Sequence, residues 1–399
     1  MITNIKKELL AIVITAIVGI LYVAFRADTG PAAPAPAASP SSSRLSELLG
    51  QDGTDVFPLV TEARPFRFPA DHGPHPEYRN EWWYVTGNLD AATGERFGFE
   101  LTIFRFALTP SMPGASGWRT NQVYVGHFAI TDVAEERFHV RQRYSRSSLG
   151  LAGASADPFA VWIEDWSIRA AGRNANAAGD IWRLRARDGD VGLDVTLAPL
   201  KQPILNGVSG LSKKSAEPGN ASYYYSVSRL ATSGTLQVGG RQYEVSGLSW
   251  LDREWGSSAL STEQQGWDWF ALQLSDGSDL MFYSLRRRDG TRDDASAGTW
   301  IAADGTAEYL ASDDVTIEIL EHWDSPAGGR YPAAWSLDVP RFGVELTVRP
   351  VITDQELMTI VRYWEGAVDV VGRHGREPVG GRGYVELTGY AERPGDESG

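Results

Sequence analysis

The stretch WDWFALQLSDGSDLMFYSLR, residues 267–286, reads as two strands joined by Asp276-Gly277. Aromatic and aliphatic residues alternate with others on both sides of a dipeptide that tolerates the left-handed backbone of a hairpin turn. The pattern repeats outward. Upstream lie EWWYVTGNL (81–89), RFGFELTIFRFAL (96–108), QVYVGHFAITD (122–132), DIWRLRAR (180–187) and VGLDVTLAPL (191–200). SYYYSVSRLATSGTLQV (222–238) and RQYEVSGLSWLDREW (241–255) complete that half. Downstream come GTWIAADGTAEYL (298–310), VTIEILEHW (315–323), AAWSLDVPRFGVELTVRPV (333–351) and GRGYVELTGY (381–390). Gly239-Gly240, Asp289-Gly290 and Asp304-Gly305 supply further turns. Long helical patterns are missing; short helical stretches are expected only near Leu45–Leu49 and Asp354–Val361. Many short strands at regular spacing predict an all-β protein of sandwich or barrel type.

The 399 residues contain no cysteine, so neither disulfides nor a thiolate metal site are available. A formal charge of −14 argues against nucleic acid and anionic lipid surfaces, which need clustered Lys and Arg. Leu9–Phe25, LLAIVITAIVGILYVAF, is an uncharged run of 17 residues preceded by Lys6 and Lys7. It reads as a membrane-spanning anchor that leaves the bulk of the chain on the periplasmic side of a bacterial inner membrane. A cleaved signal peptide shares the same opening pattern, and a core helix is the third reading. The expected organisation is an anchor or signal (1–26), a Pro/Ala/Ser-rich linker (27–55) and two β units, 56–255 and 256–395.

Three clusters combine tryptophan with ionisable groups. In 81–89, strand alternation puts Glu81, Trp83 and Val85 on one face and Trp82, Tyr84 and Thr86 on the other. In GLSWLDREWG (247–256), Trp250, Asp252 and Glu254 share a face opposite Leu251, Arg253 and Trp255. In QGWDWFALQL (265–274), Asp268 points away from Trp267 and Trp269. Tyr363, Trp364 and Glu365 form a smaller fourth group. A carboxyl group in an aromatic pocket loses hydration, holds its proton to higher pH and can act as a general acid. Tryptophan walls suit a cationic intermediate. Asp252, Glu254 and Asp268 are therefore candidate acids, and Glu81, Trp82, Trp83, Tyr84, His127, Tyr225, Trp250, Trp255, Trp267 and Trp269 candidate ligand contacts. The alternative for each is a structural role, as a surface charge ladder or as core.

The six histidines show no metal-binding spacing beyond His72 and His75 in a Pro/Gly loop, and no metal is expected. A nucleophile-elbow motif and glycine-rich nucleotide-binding motifs are missing, so no redox or nucleotide cofactor is expected.

The ordered blocks DHGPHPEYRNEWWYVTGNL (71–89), FGFELTIFRFAL (97–108), VYVGHFAITD (123–132), SYYYSVSRL (222–230), GLSWLDREWGS (247–257) and WDWFALQLSDGSDLMFY (267–283) resemble the AttH/CrtC family. That family takes in carotenoid 1,2-hydratases, also called hydroxyneurosporene synthases. The resemblance implies two tandem lipocalin-like β-barrels and water addition to a carotenoid double bond without a cofactor. It would assign the acid to Asp252, Glu254 or Asp268. Relatives with an anchor and a Pro/Ala linker resemble a bacterial branch that accompanies ABC-type export systems. Two functions are thus expected in competition: a hydro-lyase acting on an unsaturated isoprenoid or other lipid, and a non-catalytic lipid carrier serving a transporter. A secreted hydrolase lacks a visible nucleophile and base.

Overall fold

The computed structural model describes residues 57–110, 119–173, 179–258, 260–359 and 361–391. The expected anchor, the linker and the helical stretch near Leu45 lie outside these residues. Among them, no helix is long and apolar enough to cross a membrane.

The first set of strands is β1 (Asn80–Ala91), β2 (Arg96–Ala107), β3 (Gln122–Asp132), β4 (Arg137–Arg146), β5 (Ala152–Ala156), β6 (Phe159–Ile163) and β7 (Trp166–Arg173). It continues with β8 (Asp180–Asp188), β9 (Val191–Pro199), β10 (Ile204–Leu205), β11 (Leu211–Lys213), β12 (Ala221–Val238) and β13 (Arg241–Gly256). The second set is β14 (Gln264–Leu274), β15 (Asp279–Arg287), β16 (Ala297–Ile301), β17 (Ala307–Ala311) and β18 (Thr316–Asp324). It ends with β19 (Arg330–Val339), β20 (Val344–Pro350), β21 (Glu356–Met358), β22 (Arg362–His374) and β23 (Glu377–Leu387).

Each set forms one curled antiparallel sheet. The first runs β4-β3-β2-β1-β13-β12-β9-β8-β7-β6-β5, with β10 and β11 on β12, and nearly closes on itself. The second runs β17-β16-β15-β14-β23-β22-β20-β19-β18, with β21 on β22, and forms a half-barrel. The described residues are all-β, and the paired curled sheets fit a tandem lipocalin-like build. The short helix expected near Asp354 is instead β21, held against β22 with Glu356 opposite Trp364. Its eight-residue apolar pattern is too short to distinguish a helix from an edge strand. Strands β4 to β7 were not evident in the sequence: β4 places Arg137, Arg141, Arg143 and Arg146 along a half-exposed ribbon, and β5 and β6 are five residues each.

Period-two alternation lets the central strands serve two cores at once. Trp83, Val85 and Leu89 of β1 and Leu251 and Trp255 of β13 fill the first barrel. Phe270 and Leu272 of β14 and Val385 of β23 fill the second unit. The intervening residues Tyr84, Trp250, Trp269, Ala271 and Tyr384 pack together where the sheets meet. A one-residue slip of β1 would exchange the two sets, so register is strongly specified.

Polar ties cross the same contact. Asp279, 0% exposed, takes Lys201 Nζ at 2.8 Å and Arg229 Nε at 2.7 Å. Arg96 pairs with Asp369 at 2.6 Å, and Arg382 with Asp90 at 2.7 Å. At Gly98 the sheets approach closely: a Cβ there would stand 2.7 Å from Ala367 Cβ and 2.8 Å from the Tyr384 hydroxyl.

Candidate active site between the sheets

A cavity of about 170 Å³ opens between the two sheets, on the face of β1 and β13 that looks away from the first barrel's core. Trp82, Tyr84 and Phe104 line it from the first sheet, and Trp267, Trp269 and Tyr363 from the second. Trp82, Phe104 and Trp267 are half-buried, the others buried. Register sets the polar groups: Asp252 pairs with Tyr84 and Glu254 with Trp82 across β1 and β13, so both acids share the aromatic face. Glu365 of β22 and Glu386 of β23 pair directly and face them from the second sheet.

Asp252 is buried and, among the described residues, makes no ion pair; the nearby ammonium, Lys214, is bonded to Glu254. Oδ1 accepts Trp250 Nε1–H at 2.7 Å and the Ser226 hydroxyl at 2.5 Å; Oδ2 accepts the Tyr224 hydroxyl. Indole N–H can only donate, and Asn206 Nδ2 donates to Ser226 Oγ at 2.8 Å, which turns the serine proton onto Asp252. Oδ1 is therefore saturated as an acceptor, and the proton of the acid form sits on Oδ2. Tyr224 in turn accepts Trp269 Nε1–H at 3.0 Å. Burial lifts Asp252 to about 7, because it and the nearby Glu254 outweigh the donors from Ser226, Tyr224 and Trp250. The group is thus poised to give and take a proton near neutrality.

Glu254 is occupied differently. Lys214 Nζ lies 2.8 Å from Oε1, which also accepts the Ser222 hydroxyl. Burial opposes the ammonium charge of Lys214, but Glu254 more than compensates and holds its pKa above the usual value. On the second sheet, burial pushes Glu386 to about 8, with Asp252 and Glu254 adding to the effect. Burial holds Glu365 well above the carboxylate range, with Glu100 and Glu386 adding to the effect, and holds the adjoining Glu100 of β2 likewise, with Glu386 adding. Tyr84 is close enough to Glu365 to favour its ionisation, yet the two make no hydrogen bond of normal geometry. His127 bonds the Tyr363 hydroxyl through Nδ1 at 2.6 Å and Gln142 through Nε2 at 2.7 Å. Burial lowers it to about 3, so it is neutral.

These raised acids fix a pH dependence of stability. A carboxyl whose folded pKa exceeds its unfolded value stabilises below the unfolded pKa and loses that contribution as pH rises through the folded one. For Asp252 and Glu386 the loss runs from about 4 to about 8. Glu81 and Asp71, depressed by their cationic partners despite burial, act oppositely and lose their contribution as pH falls below about 4. Calorimetry is expected to give a higher Tm at about pH 5 than at about pH 8, with Glu386→Gln flattening the decline. His72 and His127, held neutral by burial, act the other way as pH falls below about 6.5, so the Glu386→Gln comparison decides: an unchanged decline would contradict a protonated Glu386.

The candidate residues separate cleanly by face. Asp252, Glu254, Trp82, Tyr84, His127, Trp267 and Trp269 line the cavity, and Trp250 supports Asp252 from behind. Asp268 lies on the reverse side of β14, bonded to Arg286 at 2.9 Å and to the Tyr390 hydroxyl at 3.0 Å. Burial raises its pKa in spite of that arginine. Glu81, Trp83, Tyr225 and Trp255 face into the first barrel. There Glu81, 0% exposed, joins Arg105 and Arg253, with Arg253 Nη2 at 3.1 Å. Trp255 stacks on His75 with centroids 3.8 Å apart, and His72 bonds the Tyr225 hydroxyl at 2.6 Å. Glu100, Glu386, Tyr224 and Lys214 escaped the sequence reading, and Glu365 entered it only as part of a minor cluster. An acid at an alternating position of an otherwise apolar strand, as in Tyr384-Val385-Glu386-Leu387, was the available signal.

The profile of a family described as AttH-like matches residues 59–390. The crystal structure of an assigned AttH from Nitrosomonas europaea superimposes with a TM-score of 0.72 at 32% identity, covering 84% of this chain and 100% of its own. Kievitone hydratase from Nectria haematococca superimposes with a TM-score of 0.61 at 17% identity, covering 83% of this chain and 98% of its own, a likeness of fold. No curated protein matches the chain.

Proposed function

The chain belongs to the AttH-like family, and we propose that it is a hydratase-type enzyme that adds water across a double bond of an apolar, isoprenoid-like substrate held between the sheets. The observation that carries this reading is Asp252: a buried carboxyl with three donors, no ion pair among the described residues and a pKa near neutrality on an aromatic cavity wall.

In the reaction, the proton on Asp252 Oδ2, shared with Tyr224, passes to one alkene carbon. A C–H bond forms as the π bond breaks, leaving the more substituted carbon cationic. The faces of Trp82, Trp267 and Trp269 stabilise that cation by roughly 1–2 kcal/mol each when desolvated. Water then bonds to the cation and returns a proton to the Asp252 carboxylate, which regenerates the acid. General-acid assistance of this kind contributes about 10²–10⁴-fold. The name kievitone hydratase, borne by a structural relative of low identity, is in keeping with this reading.

The filled interior of the first barrel argues against a ligand carried inside it in the lipocalin manner: Trp83, Trp166, Trp182 and Trp255 occupy that space. The test is mass spectrometry of acyclic isoprenoid alkenes, from geraniol to lycopene, after incubation with the protein. A product heavier by one water is expected. Tryptophan quenching by these compounds with no such product would instead favour a carrier.

A further inference from the structure

Glu365 and Glu386 on the second-sheet side of the cavity, with the adjoining Glu100 of β2, differ from most of the protein's other buried acids. Glu81 has Arg105 and Arg253, Asp279 has Lys201 and Arg229, Asp268 has Arg286, and Glu356 has Arg362. Glu365 and Glu100 are 1% and 0% exposed, and no oxygen of either makes a hydrogen bond of normal geometry. Glu386 adjoins them on the cavity wall. Lys214 is committed to Glu254, and His127 is neutral. Among the described residues, no group of three such side chains has the spacing to hold a metal ion.

Clustered carboxyls facing an apolar cavity are costly as anions, so without a counter-charge they keep their protons, and a cation entering beside them lets at least one ionise and pair with it. The surrounding aromatic rings present electron-rich faces, which also attract a cation. A single class of ligand suits both features.

We propose that Glu365 and Glu386, backed by Glu100, form a head-group subsite, and that the substrate is a cationic amphiphile whose unsaturated apolar body lies on Trp82, Trp267 and Trp269 while its protonated amine reaches the two cavity glutamates. The amine supplies the counter-charge that the chain leaves out. An anionic head finds no counter-charge among these glutamates, and an alcohol gains a hydrogen bond without the Coulombic attraction. This names the substrate class of the hydratase reading and rests on the cavity being the binding place.

The test titrates the full-length protein with geranylamine, geraniol and geranic acid, which share one isoprenoid chain, and follows tryptophan fluorescence. Geranylamine is expected to bind at least about tenfold tighter than geraniol, with geranic acid weakest. Glu365→Gln should remove most of the amine's advantage while geraniol binding stays within about threefold. Glu386→Gln is the second variant should Glu365→Gln fail to fold. Equal or tighter binding of geraniol, an amine preference that survives both substitutions, or no quenching by any probe overturns the inference. The two readings separate in one comparison: a protein that prefers the amine but never adds water loses the hydratase assignment and keeps the subsite.

Discussion

Replacing Asp252 with Asn is expected to abolish hydration, by about 10²–10⁴-fold or more, while leaving the fold and ligand binding in place. Asparagine imitates the protonated acid: its oxygen still accepts from Trp250 and Ser226, and its amide nitrogen stands where Oδ2 carries the proton. Tyr224 then turns to accept from that nitrogen, which a phenol can do. What asparagine cannot do is release a proton. The stability of D252N should equal or exceed that of the native protein at about pH 8, since the substitution removes a buried ionisable group. Steady-state turnover and tryptophan quenching measured together decide the matter. The native enzyme should also lose activity as pH rises through about 7, where the acid form disappears. Undiminished turnover in D252N would end Asp252's role as the proton donor.

Glu81→Gln should have the opposite signature, a loss of roughly 3–5 kcal/mol in stability with no change in the composition of the cavity wall. Glu81 lies one residue from Trp82 but on the other face of β1, where its carboxylate answers two fully buried guanidinium groups. Arg253 also donates to Trp82 O at 2.8 Å and to Gly73 O at 2.6 Å, and Arg105 to Tyr78 O at 2.8 Å, so neither arginine can withdraw to water. A neutral amide leaves both charges uncompensated. Since a domain's whole stability is only about 5–15 kcal/mol, the urea midpoint should fall by a large fraction of its native value. A midpoint within error of the native one would mean that the network contributes little.

The strands and their two-facedness were legible because alternation is a local property. EWWYVTGNL and GLSWLDREWG each display two faces in sequence, and both faces prove to be as read. The fate of each face was not legible. Whether Glu81 or Trp82 borders a cavity depends on what packs against β1, and that is set by strands more than a hundred residues away, β14, β22 and β23. The same reason hid Glu386 and Glu100, which look like solvent-side residues of amphipathic strands until a second sheet covers them. Asp252 stood out in sequence beside tryptophans, but so did Asp268. Only Arg286, reached across the β14–β15 pairing, distinguishes a neutralised acid from an unpaired one.

The close approach at Gly98 and the placement of the acids give the two sheets separate inheritances. Asp252 and its donors Trp250, Ser226 and Tyr224 descend with the first sheet, whereas Glu365, Glu386, Trp267 and Trp269 descend with the second. A chimera that takes residues 264–391 from a relative would keep Asp252 and its hydrogen-bond donors from the first sheet and exchange the opposing wall. Selection can thus remodel one wall of the cavity without rebuilding the other, provided that a glycine persists where the two halves touch.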